Sequence, residues 1–249
     1  MSASPHEDLG SRALLLDIEG TTTSISFVYE VLFPFARAHT MSYLERNYAS
    51  PEVQSDLEGL RAEHAADVQK GLNPPELRDS PPDQLESLVR YIHWLMDQDR
   101  KATPLKSLQG KIWEDGYRSG ELESHVYEDV PVAFERWQRQ GIDIFIYSSG
   151  SVFAQKLLFE HTLAGDLTGF INGYFDTQAG AKTEAGSYEW IAAELNRPPS
   201  RIVFISDVVR ELDPAADAGM VALMAVRPGN RPQPGASHRV IHTFDEVFP

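Results

Sequence analysis

Four short apolar runs punctuate the chain: ALLL at 13–16, IDIFIY at 142–147, IVFI at 202–205 and MVALMAV at 220–226. Each is continuous rather than alternating, and most are rich in β-branched or large aliphatic residues, which predicts strands of a sheet covered on both faces. Helical patterns lie between the later runs: DVPVAFERWQRQG, SVFAQKLLFEHTLAG, and SYEWIAAELN followed by Arg-Pro-Pro. Each of these helices is expected to stop at a glycine or before proline. Strand and helix in alternation imply crossover connections and an α/β fold built on a doubly wound parallel sheet.

Residues 26–126 break this rhythm, showing helical periodicity and no clear strand. The strongest helix there is SPPDQLESLVRYIHWLMDQDR, with Ser80 as cap, Pro81 and Pro82 in its first turn and an apolar stripe of Leu85, Leu88, Tyr91, Ile92 and Leu95. The expected organisation is therefore a catalytic core from residues 1–25 and 127–249, with an all-α cap, 26–126, inserted after the first strand. An insertion at that point emerges where such sheets bind ligands, so a lid or cap is its natural role. RPGNRPQPGAS at 227–237 reads only as a Pro/Gly-rich loop.

Composition narrows the chemistry. The chain of 249 residues is 42% hydrophobic, enough for a substantial core, and has no cysteine. Disulfides, zinc-thiolate sites and thiol nucleophiles are thereby excluded, and catalysis must use oxygen or nitrogen groups. The polar start MSASPHEDLGSR has no apolar signal region and no later stretch approaches a membrane span, so a soluble cytoplasmic protein, monomeric and without a membrane partner, is expected. A formal charge of −15 argues against nucleic acid as a partner. A small anionic substrate would have to be met by a local cation and a few basic side chains.

Strand-end residues supply the candidates. Asp17 and Glu19, in DIEGTTT after the first strand, are costly beside an apolar core unless paired, and a magnesium ion is the economical partner. Asp207 ends another strand and could share that ion, with Glu211 nearby. Ser148 and Ser149, in YSSGS before a helix, suit a phosphate with their hydroxyls and backbone N–H groups. Lys182, in the loop before the next helix, offers a fixed positive charge. Alone, each piece has a plainer reading: an exposed turn, serines capping the next helix, a solvated lysine, an Asp207 cap. Together, and in order on one edge of one sheet, they point to phosphate chemistry.

The order Asp-x-Glu-Gly-Thr-Thr, Ser-Ser-Gly-Ser, Lys and Ser-Asp-x-x-x-Glu resembles the four motifs of the haloacid dehalogenase (HAD) superfamily. Its fold is a Rossmann-like sheet with an optional cap. More narrowly, LLLDIEGTTTSISFVYEVLFPFA, IWEDGYRSGEL, YSSGSVFAQKLLF and FISDVVRELDPAADAGM resemble the enolase-phosphatase (acireductone synthase) branch of methionine salvage. The resemblance spans residues 13–228, and Glu19, where most HAD phosphatases carry Asp, agrees with that branch. It implies enolisation and then dephosphorylation of 2,3-diketo-5-methylthiopentyl-1-phosphate, with one Mg²⁺ per chain.

In the mechanism so implied, Asp17 is the nucleophile and Glu19 the acid/base. Asp17, Asp207 and the Glu19 carbonyl hold the metal, and Ser148, Ser149 and Lys182 hold phosphate. Glu211 takes the place of a second acid after Asp207, as ligand, water-holder or helix-end charge. Trp94 and Trp113 are candidates for a methylthio pocket, with ordinary helix packing as the alternative. The eight histidines show no metal-ligand spacing. Rival readings are another capped HAD hydrolase acting on a different small phosphate ester, and a phosphorylatable receiver module.

Overall fold

The computed structural model describes residues 12–80, 83–233 and 237–249. They divide into two compact units, one made of the residues up to Val28 with Glu123–Pro249, the other of Tyr29–Leu122.

The first unit is built on a six-stranded sheet of β1 (Ala13–Leu16), β2 (Asp143–Tyr147), β3 (Ile171–Phe175), β4 (Ile202–Ser206), β5 (Val221–Ala225) and β6 (Arg239–Ile241), in the order β3-β2-β1-β4-β5-β6. Every neighbouring pair is parallel. All four β1 residues are fully buried, as a central strand covered on both faces requires. Ala13 and Leu15 join Tyr147, Tyr188, Ile191, Phe204 and Leu212 in one core cluster, while Leu14 and Leu16 point to the opposite face. The chain runs outward from β1 to β3, then restarts on the other side of β1 at β4. The topological switch point, where such sheets gather ligand-binding loops, therefore lies between β1 and β4.

Two strands were not read from the sequence. β3 has Asn172 and Gly173 inside an edge strand, and β6 is three residues long with two of them exposed, so neither carries the continuous apolar run of a buried strand. The later helices are α5 (Asp129–Arg139), α6 (Val152–Glu160), α7 (Ala185–Glu194) and α8 (Val209–Asp217). α6 corrects the expectation of a stop at glycine, because it ends at Glu160. There the Thr162 hydroxyl donates to the Gly165 carbonyl, and Ser124 N–H donates to the His161 carbonyl, turning the chain early.

The second unit contains α1 (Phe33–Asn47), α2 (Pro51–Gln69), α3 (Asp83–Asp97) and α4 (Thr103–Ser119), preceded by a wide π-helical segment that begins at Phe27. α1 packs on α3 and α4, and α2 on α4. Leu88, Tyr91, Ile92 and Leu95 of the expected stripe are buried and Leu85 is half-buried; Pro81 and Pro82 lie outside the described residues. Among the described residues no helix is long and apolar enough to cross a membrane.

A buried carboxylate holds the helical unit together. Asp67 of α2 has no solvent exposure and accepts from the Tyr91 hydroxyl at 2.8 Å and from Arg100 at 3.0 Å. Burial and the neighbouring Asp67 raise the Tyr91 pKa, keeping the phenol a donor. Replacing Arg100 with leucine removes the charge partner and leaves the carboxylate buried on one neutral donor. Arg100→Leu is expected to destabilise the protein by about 3 kcal/mol, read from its urea unfolding midpoint. An unchanged midpoint would show that Tyr91 alone satisfies Asp67.

Candidate active site

Asp17 continues the β1 ladder, its N–H donating to the Ile205 carbonyl of β4 at 3.0 Å. The chain then turns sharply: Thr21, Thr22 and Thr23 N–H groups all face the Ile18 carbonyl, and Gly20 N–H donates to Thr23 O at 2.8 Å. Gly20 has φ +68°, and a Cβ there would overlap the Asp207 carboxylate, so the turn and the approach of β1's loop to β4's loop both require glycine.

Lys182 is the centre of the site. Its Nζ lies 2.6 Å from Asp17 Oδ1 and 2.6 Å from Glu211 Oε2, and all three side chains are largely shielded from solvent. Burial disfavours the ammonium, but Asp17 and Glu211 outweigh it and raise the lysine pKa above its ordinary value. The Ser206 hydroxyl stands 3.0 Å from Glu211 and 3.4 Å from Asp17 Oδ2, and accepts from Val208 N–H at 3.1 Å. Glu211, whose role the sequence left open, is thus the second anion on the lysine. Burial and the nearby Asp17 raise its own pKa.

The lysine loop is fixed by hydroxyls from neighbouring elements. Tyr147 at the end of β2 donates to the Gly180 carbonyl at 3.0 Å, Tyr188 of α7 to Lys182 O at 2.8 Å and Ser187 to Ala181 O at 2.7 Å. Gly180 has φ +115°, and a Cβ there would collide with the Ser187 hydroxyl. The Lys182 ammonium also lies 5.8 Å from the Tyr147 ring centre, within cation–π range.

Asp207, at the end of β4, is buried beside this charge cluster. Burial first, then repulsion from Asp17 and Glu211, push its pKa up to about 7, with Lys182 opposing and Glu19 adding to the rise. The cluster therefore carries more carboxylates than ammonium groups. Among the described residues no three acidic, histidine or cysteine side chains converge into a complete metal cage. An oxygen-only set of one or two carboxylates with negative charge in excess fits magnesium, which keeps several of its waters.

At the end of β2, Ser148 is buried and its hydroxyl accepts from Gly150 N–H at 3.2 Å. Gln155 Nε2 clamps the Gly150 and Phe175 carbonyls at 2.8 and 2.9 Å. Ser151 is the residue that caps α6, through Ala154 N–H, and Asp176 takes Val152 N–H. The capping reading thus holds for Ser151, and two donors at the helix end already have partners. Asp207 is not a cap: Val208 occupies that position. Trp113 is buried in helix packing, its indole N–H donating to Leu32 O at 2.8 Å, and Trp94 stacks on Tyr91 with ring centres 5.9 Å apart.

Sequence reasoning passed over four residues that shape the site. Ser206 is one. His125 Nδ1 faces Ser24 N–H at 3.3 Å and the Thr23 hydroxyl at 3.0 Å, and burial lowers its pKa, which suits a neutral acceptor. Arg227 Nε donates to Thr21 O at 3.1 Å, and Asn230 Nδ2 to Gly20 O at 2.9 Å. The last two sit in RPGN, read only as a loop.

Comparison with known proteins agrees with this geometry. Residues 11–219 match the model of the haloacid dehalogenase-like hydrolases. The chain is 50% identical over 234 residues to Enolase-phosphatase E1 of Synechococcus elongatus, covering 94% of this chain and 96% of that one. It is 45% identical to Enolase-phosphatase E1 of Klebsiella oxytoca, covering 96% and 97%. Among solved structures, UTR4 protein of Saccharomyces cerevisiae is 35% identical with TM-score 0.77, covering 96% of this chain and all of that one.

The raised Asp207 carboxyl generates a pH test. A proton retained in the fold but lost from the unfolded chain contributes stability that is full below the ordinary value of 3.8 and is lost as pH rises through about 7. Asp207→Asn has no such proton to lose. With chelator present, D207N should exceed the parent in stability at pH 8 by on the order of 1–3 kcal/mol, converging with it near the acid end, in urea unfolding. Equal stability at pH 8 would remove the electrostatic account of this residue.

Proposed function

This chain belongs to the enolase-phosphatase family of haloacid dehalogenase-like hydrolases, and we infer that it performs the enolase-phosphatase step of methionine salvage. It enolises 2,3-diketo-5-methylthiopentyl-1-phosphate and then dephosphorylates it to the acireductone 1,2-dihydroxy-3-keto-5-methylthiopentene. The observation that carries the chemistry is Lys182 shared between Asp17 and Glu211 at the switch point of the sheet.

Asp17 is assigned the nucleophile. One of its carboxylate oxygens bonds to phosphorus while the bond to the substrate oxygen breaks, giving an aspartyl-phosphate that water then hydrolyses. Lys182, held charged by its two carboxylates, neutralises anionic oxygens without changing protonation. Glu211 and Ser206 position the lysine and Asp17 rather than react. Ser148 and Ser149, at the carboxyl end of β2, are assigned to the phosphate oxygens.

Glu19 is assigned proton transfer: to the leaving oxygen in the first half-reaction, and from the attacking water in the second. Asp17, Asp207 and the Glu19 main-chain carbonyl are the groups that would hold one Mg²⁺, which supplies charge neutralisation and carbonyl polarisation when bound. The helical unit is assigned the role of a substrate-selecting cap. The substrate is a small phosphate ester, met by local positive charge in a strongly acidic protein.

The test is an assay with the diketo phosphate that follows enol absorbance and phosphate release together, with and without magnesium. Asp17→Asn should lower phosphate release by about 10⁴-fold or more. Glu19→Gln should lower it by about 10²–10⁴-fold. Full turnover in E19Q would remove Glu19 from proton transfer. Cleavage of generic phosphate esters without the diketo phosphate would keep the hydrolase chemistry and end the salvage role.

A further inference from the structure

We propose that Asn230 is a positioning residue of the cation site, its amide nitrogen fixing the Gly20 carbonyl while its amide oxygen accepts a hydrogen bond from the hydration shell of a divalent cation beside Asp207. The proposal rests on the reading of Asp207 as a cation ligand.

The orientation of the Asn230 amide is set by its surroundings. Nδ2 faces two carbonyls, Gly20 O at 2.9 Å and Ala225 O at 3.3 Å, so the nitrogen must be on that side and the oxygen on the other. Oδ1 is buried and, among the described residues, receives no hydrogen bond from a protein group. Such an oxygen is costly to the fold unless a donor reaches it.

Its position says which donor. The point where a Gly20 Cβ would lie overlaps the Asp207 carboxylate and is 3.1 Å from Asn230 Oδ1. An amide oxygen and a carboxylate thus crowd the same face of Gly20, and both are acceptors when Asp207 is ionised. The group that belongs between two acceptors is a cation or a strong donor. Water bound to Mg²⁺ is both close to its carboxylate ligand and polarised toward outer acceptors.

The surroundings concentrate the same need. Among the described residues, three of the five buried side-chain atoms without a protein partner, Thr21 Oγ1, Arg227 Nη2 and Asn230 Oδ1, belong to the junction between the Asp17 loop and the 227–230 turn. That turn is rigidly held. Arg227 lies against both the Tyr127 and Phe244 rings, with its guanidinium carbon 4.8 and 4.4 Å from their centres, and pairs with Asp129 at 2.7 Å. Asn230 N–H donates to Arg227 O at 3.1 Å, closing the turn. The amide is therefore presented on a fixed support, as a group that orients a ligand shell must be.

Calorimetric titration of Mg²⁺ into the whole protein at pH 8 tests this. Asn230→Ala should raise the Mg²⁺ Kd about tenfold, the lower end for loss of an outer-shell partner. Asn230→Asp keeps an oxygen on that side but loses the Gly20 donor; it should recover wild-type affinity or better while phosphate release stays reduced. A wild-type Kd in N230A overturns the proposal, as does equal weakening in N230A and N230D, which would trace the loss to the released Gly20 loop. Asp207→Asn separates the underlying reading: undiminished Mg²⁺ binding there removes the cation site itself, whereas lost binding in D207N with wild-type binding in N230A removes only the role of Asn230. Should N230A fail to fold, Mg²⁺ titration of asparagine-labelled wild-type protein must move the Asn230 side-chain amide resonance, and an unmoved resonance overturns the proposal.

Discussion

One ammonium group shared by two carboxylates, Asp17 buried and Glu211 half-buried, is the constraint around which this site is organised. Burial works against the Lys182 ammonium and Asp17 and Glu211 more than offset it, while Lys182 in turn opposes the rise that burial imposes on the Glu211 pKa. Among the described residues no ion pair reaches Asp207, and burial with the nearby Asp17 and Glu211 pushes its carboxyl toward neutrality. A site with that imbalance takes up a proton more readily than a lone carboxylate does, and a cation added there would oppose that uptake.

The charged groups are held by side chains from several elements of the sheet edge. Ser206, ending β4, stands between Asp17 and Glu211; Tyr147, ending β2, fixes the glycine before Lys182; Tyr188 of α7 holds the Lys182 carbonyl. Arg227 and Asn230, after β5, hold the Thr21 and Gly20 carbonyls of the loop that follows β1. The supports run across the carboxyl edges of five adjacent strands. Groups that share supports in this way act as a unit, so substitutions among them should combine non-additively.

The buried centre of this structure was legible in the sequence because a strand covered on both faces must be apolar throughout. ALLL, IDIFIY, IVFI and MVALMAV all became parallel neighbours around the switch point. INGYF and RVI lie toward the outside of the sheet, where half the side chains meet solvent and the apolar run has no reason to exist. Asp17, Lys182 and Asp207 were legible because an ionisable group at a buried strand end or a glycine-flanked loop demands a partner. Glu211 was seen but not placed, since a helix-borne acid has many uses until its partner is known. Asn230 and His125 were illegible: their work is to satisfy main-chain groups brought near by folding, and nothing in their local sequence specifies those groups.

The same distinction separates what the fold supplies from what the family supplies. The parallel sheet explains why these loops meet at one edge, and the charge cluster there has the chemistry that a phosphate ester and a hard cation would need. Neither selects one ester, because the interactions that hold phosphate are indifferent to the rest of the substrate. Selection must come from groups that meet the carbon skeleton, and the two tryptophans suggested for that task prove to be engaged within the helical unit, one bound to Leu32 O and one stacked on Tyr91. Identity with enolase-phosphatases over nearly the whole chain therefore carries the substrate assignment, while the cluster of Asp17, Lys182, Glu211 and Asp207 accounts for the charge at the carboxyl edge of the sheet.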